Sequence, residues 1–126
     1  MNIHRVSLLL AFAVGLVLSG SACRRASAPP TPLPIAEVPA EIQKVFAQAA
    51  PGAKDIATEV AKAAKEKNYP AAYQGLQILV SLHDATPEQR TVAARAMLAI
   101  TTLLQEAQAK GDPAAAEALR AQRISK

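Results

Sequence analysis

From Ile42 to Leu119 apolar residues recur every three or four places, and the stretches between them are punctuated by Pro51-Gly52, Asn68-Tyr69-Pro70, Thr86-Pro87 and Gly111-Asp112-Pro113. That spacing is the period of one helix face, not the strict alternation of a half-buried strand. The punctuation cuts the pattern into lengths suited to a bundle of short helices. A first helix is predicted over residues 39–49, with Pro39 at its first position and Ile42, Val45, Phe46 and Ala49 on one face. Pro51-Gly52 then reads as its stop. The second, residues 53–67, carries the line Ile56, Val60, Ala64. Asn68-Tyr69-Pro70 reads as a turn, since Pro70 disfavours helical geometry at Tyr69. The third runs to His83 with Ala72, Leu76, Leu79, Val80 and His83 inward. Gly75 on it marks a close backbone crossing.

The fourth helix has the clearest start, Thr86-Pro87-Glu88-Gln89. Thr86 caps, Pro87 fits the first turn, and Gln89 reaches back to complete a capping box. Val92, Ala96, Ile100, Leu103, Leu104 and Ala107 form its inner face. After Gly111-Asp112-Pro113 a fifth helix runs to Gln122, with Ala115 and Leu119 inward. With 29 alanines, no tryptophan, and Phe12, Phe46, Tyr69 and Tyr73 as its only aromatic residues, the chain favours closely packed helices. The expected fold is all-α: four to five short antiparallel helices, as two stacked hairpins plus an N-terminal helix, over residues 39–126.

The start of the chain is different. One firm positive charge, Arg5, precedes an apolar run from Val6 to Leu18, and the small residues Ser19-Gly20-Ser21-Ala22 lead to Cys23. A helix of that run is about 20 Å long, short of a hydrocarbon core of about 30 Å. Charged start, short apolar middle and small-residue end make the secretory pattern, so residues 1–22 are expected to be a signal peptide. Cys23 is the only cysteine and cannot form an intrachain disulfide. Its place directly after Ala22 resembles the bacterial lipoprotein signal, although Gly20 stands where that motif usually has leucine. The resemblance implies diacylation of the Cys23 thiol, which would then begin the mature chain and hold it to a membrane. Arg24 and Arg25, in place of an acidic residue, imply by the same resemblance the periplasmic side of an outer membrane over an inner one. Ordinary cleavage near Ala22 is the alternative, leaving a free thiol on a soluble periplasmic or secreted protein. Residues 23–38 hold Pro29, Pro30, Pro32 and Pro34, which remove backbone donors and fix φ. This segment reads as a disordered, extended tether.

Sequence also narrows chemistry. From residue 36 onward 11 Lys and Arg face 10 Asp and Glu, and no basic stripe with interleaved aromatics suggests nucleic-acid binding. His83 is the only histidine after the signal, without companions at metal-ligand spacing. It reads as a helix C-terminal cap. Ser81 has no glycine-rich elbow, and the five glycines form no phosphate-cradling loop. No catalytic, cofactor or metal site is expected. Tyr69 and Tyr73, four apart, are the candidate partner-binding residues, tyrosine being common at interface centres. The alternative is that they plug the end of a hairpin.

Lys67-Asn68-Tyr69-Pro70-Ala71-Ala72 and Lys110-Gly111-Asp112-Pro113-Ala114-Ala115 align at an offset of 43. Each pair of helices around them is similar to the unit of tetratricopeptide repeats, notably Tyr69, Ala72 and Leu76 after a polar turn. The Trp and Leu-Gly signature of those repeats is missing. The expected function is a non-catalytic interaction or scaffold module for an envelope protein. The alternatives are a self-assembling homo-oligomeric subunit and a small carrier of hydrophobic ligands.

Overall fold

A computed structural model describes residues 28–124. The segment expected to be a signal peptide, residues 1–22, and Cys23 lie outside the described residues. The described chain is all-helical, with no strand and five helices packed against one another. They are α1 (Val38–Val45), α2 (Pro51–Lys65), α3 (Tyr69–Ser81), α4 (Pro87–Ala109) and α5 (Pro113–Ile124). None is long and apolar enough to cross a membrane.

Each helix opens on a proline in its first or second position: Pro39, Pro51, Pro70, Pro87 and Pro113. The N–H that proline lacks is one of the four a helix start leaves unbonded anyway, and its fixed φ already suits the helix. Two boundaries therefore differ from the sequence expectation. Pro51 and Gly52 begin α2 and do not merely stop α1, which has already ended at Val45. Tyr69 is likewise helical, because the Asn68 side chain caps α3 by accepting from the Ala71 N–H. The capping box at Thr86 forms as expected. Gln89 N–H donates to Thr86 Oγ1 at 3.1 Å, and Thr86 N–H donates to Gln89 Oε1 at 2.9 Å.

One apolar cluster runs from Leu33 to Leu119 and fills the space between the helices. α3 touches α2, α4 and α5, and α1 bridges α2 and α4. Among the described residues the α2 and α4 backbones do not approach closely, and α1 and α3 each pack on both. On α4 the buried line is Gln89, Ala93, Ala96, Ile100 and Leu104, joined by Ala99. The expected Val92, Leu103 and Ala107 are only half-buried. Gln89 is inside because its amide also donates to the Val45 carbonyl at 3.2 Å, satisfying the end of α1.

The end of the proline-rich segment joins the domain. Leu33 is buried, its N–H donating to the Arg95 carbonyl, while Arg95 Nε donates to the Thr31 carbonyl at 2.8 Å. A single 3-10 turn, Ile35–Glu37, then leads into α1. The reading of residues 23–38 as tether thus gives way from Thr31 onward to a strap on α4. The prolines leave the segment extended, but Leu33 finds a place in the core.

Candidate functional site

The most distinctive surface is the valley between α2 and α3, and Gly75 makes it. A Cβ at Gly75 would collide with Val60 Cγ2, so the two backbones approach as closely as a missing side chain allows. The close crossing expected from sequence is therefore present. Outside it lies an open groove of about 440 Å³. Ile56, Val60, Gly75 and Ile78 line its apolar part. Ile78 is 48% exposed, unusual for so large an apolar residue. Asp55, Glu59 and Glu66 supply three negative charges to the lining against one positive charge from Lys62, a net of −2. None of these four makes an ion pair among the described residues.

The two tyrosines separate. Tyr73 is buried in the core and offers no exposed anchor to a partner, whereas Tyr69 is half-buried and packs against the same cluster. Four residues is a little more than one helical turn, and the first of the pair lies at the helix start where the core ends. The Tyr73 hydroxyl is buried and makes no well-formed hydrogen bond among the described residues, with the Gln77 side chain its polar neighbour. Burial pushes it above the ordinary phenol range, with the neighbouring Gln77 side chain opposing the shift. Periodicity alone cannot tell which of two tyrosines faces inward. What it lacked here was the start of α3 at Tyr69.

His83 is exposed and lies past the end of α3, not on its inner face. Arg90 does the capping instead: its Nη2 donates to the Leu82 and His83 carbonyls at 3.4 and 2.9 Å. Ser81 Oγ donates to the Ile78 carbonyl at 2.8 Å, a bond within its own helix. Among the described residues no three of His, Cys, Asp and Glu gather to hold a metal ion. Two further grooves open on the surface, one between α3, α4 and α5 beside Gln77, Met97 and Gln122, and one where residues 28–31 cross α4.

The fold and this site define a class, a small five-helix bundle bearing an acidic, apolar-floored groove. No protein family, curated protein or solved structure matches the chain.

Proposed function

We propose that the chain is an exported envelope protein held to a membrane through acylated Cys23, and that its bundle is a non-catalytic docking module. The α2–α3 groove is the docking surface. Its occupant is an amphipathic helix of another envelope protein, with lysine or arginine flanking an apolar stripe. The observation that carries this reading is the combination of exposed Ile78 with the excess of Asp55, Glu59 and Glu66 over Lys62 along one valley. An apolar floor takes the face of a helix, and the acidic lining selects its charge.

A photocrosslinker at Gln74, on the groove lining, tests the reading in native envelopes. The expected product maps to one partner segment with apolar residues at helical spacing and basic flanks. Ile78→Asp and Glu59→Lys should each cut its yield by about tenfold, the loss of one buried anchor or charge pair. Crosslinks scattered over unrelated segments, or yields indifferent to both substitutions, would sink the idea. Crosslinks to a second copy alone would favour the self-assembling subunit instead. Against obligate assembly stands the cluster from Leu33 to Leu119, filled by one chain's own residues. Cys23→Ala should release the protein from membranes, and unchanged membrane retention would refute the anchor.

A further inference from the structure

The end of α5 carries the chemistry that the α2–α3 groove selects. Arg120, Arg123 and Ile124 stand at i, i+3 and i+4 on the exposed side of the helix, while Ala115, Ala118 and Leu119 face the core. Ile124 is 81% exposed, the highest value among the described large apolar residues. The two arginines outnumber Glu117, the carboxylate on α5, by one. Arg120 is bonded to Glu117 at 2.9 Å, but both side chains are well exposed, and an exposed pair of this kind holds weakly. Arg123 makes no ion pair among the described residues. It stands in the last turn, where its charge covers the negative end of the helix. No charged side chain lines the neighbouring groove beside Gln77, Met97 and Gln122, so α3 and α4 bring no carboxylate to the arginines there. Nor does α5 fill the groove of its own chain. The α2 and α5 backbones do not approach closely, and α3 stands between them, packed on both.

We propose that the end of α5 from a second copy enters the α2–α3 groove, with Ile124 on Ile56 and Ile78 and the arginines on Asp55, Glu59 and Glu66. The inference rests on the reading of that groove as a docking site for an apolar helix face with basic flanks. The charges are complementary: the groove lining is net negative and the end of α5 net positive. Each copy offers one groove and one α5 end, so the contact joins two different surfaces, head to tail. It covers one helix end and leaves the core as it is, which makes it a weak, reversible contact and not one the fold depends on. Its consequence is regulation of the docking site. A groove filled by a neighbour is closed to the partner, so capture of the partner falls where copies crowd together.

The test uses the full chain in a neutral detergent. One batch carries a benzophenone side chain in place of Ile124, and heavy-isotope chain without the probe is the receiver, so a crosslink between copies is told from one within a copy. Crosslinks should join the probe to heavy peptides from residues 55–66 or 71–78, the two sides of the groove. Ile78→Asp or Glu59→Lys in the receiver, or R120E/R123E in the probe chain, should each cut that yield about tenfold, and high salt should cut it too. Pairing the R120E/R123E probe with a D55K/E59K receiver should restore it, a rescue that damage to the fold could not give. A probe that never reaches a heavy groove peptide overturns the self-contact without any charge variant. Yields indifferent to the substitutions overturn it as well. In native envelopes R120E/R123E should raise the Gln74 crosslink to the partner about twofold, the gain where half the grooves had been filled. A partner yield that does not rise overturns the competition and leaves the docking reading standing. A Gln74 probe that captures only a second copy does the reverse.

Discussion

The α2–α3 and α4–α5 hairpins turn on the same backbone device assembled from different side chains. In the first, Asn68 N–H donates to the Ala63 carbonyl and Lys67 N–H to the Ala64 carbonyl; in the second, Asp112 N–H donates to Ala107 and Gly111 N–H to Gln108. Both are Schellman endings, and in both the next residue caps the following helix through its side chain. Lys67 and Gly111 take the left-handed position, at φ 58° and 90°. The turns therefore correspond at an offset of 44, while the sequence match that includes Pro70 and Pro113 lies at 43. Beyond the turn the core faces do follow 43, Ala72 with Ala115 and Leu76 with Leu119, all buried. The difference teaches that a shared turn can arise from shared hydrogen-bond needs, without residues standing in register.

The hairpins differ most in how closely their helices approach. Gly75 meets Val60 in the first, and Ala118 occupies the equivalent buried position in the second. Gly75→Ala should destabilise the protein by about 2 kcal/mol, an overpacking cost of about 3 reduced by about 1 from better helix propensity. In a Val60→Ala background the same change should cost nothing, because the colliding methyl is gone. Ala118→Gly should cost about 1 kcal/mol through propensity alone. Denaturant unfolding of the four variants checks this. Equal costs for Gly75→Ala in both backgrounds would remove the distinction between the hairpins.

The turns give a smaller contrast. Gly111→Ala should cost about 1–2 kcal/mol, since a side chain is strained at its φ. Lys67→Gly should stay within about 0.5 kcal/mol of zero: strain is relieved, and the looser unfolded chain takes the gain back. A large loss for Lys67→Gly would show that the lysine side chain, not the backbone shape, holds the first turn.

Much of this architecture was legible in the residues, and the misses share a cause. The capping box needs only local chemistry, so Thr86 and Gln89 were readable as they stand. The inner faces were legible wherever large residues mark them, as at Leu76, Ile100 and Leu119. Alanine is silent: Ala93 and Ala99 are buried, but nothing about an alanine says which way it faces. Proline was ambiguous in isolation, because Pro51 and Pro70 can close one helix or open the next. The bond from Gln89 to Val45 and the docking of Leu33 on Arg95 join residues 44 and 62 apart, and no local pattern announces them. The groove was illegible for the same reason. Its acidic residues sit on α2 and its C-cap and its exposed Ile78 on α3, and only the Gly75 crossing brings them together.

The finest contrast between the hairpins lies at Tyr73, where the other hairpin has half-buried Ala116. The large ring fills space on the first hairpin that the second does not need to fill, but it carries inside a hydroxyl that makes no well-formed hydrogen bond, with Gln77 beside it. A buried, unsatisfied hydroxyl costs free energy, so Tyr73→Phe keeps the ring and should be neutral or stabilising by up to about 1 kcal/mol. The pH dependence supplies a second readout. Because burial raises the folded-state value of Tyr73, the unfolded chain releases that proton first as pH climbs past about 10. Its contribution to stability is complete below that pH and is lost on the way to the higher folded value. Tyr73→Phe should flatten this alkaline fall while leaving stability near neutrality unchanged or improved. A variant clearly less stable than the parent at neutral pH would mean that the hydroxyl has a partner after all, and that α3 is held at its centre by a polar contact that its counterpart α5 lacks.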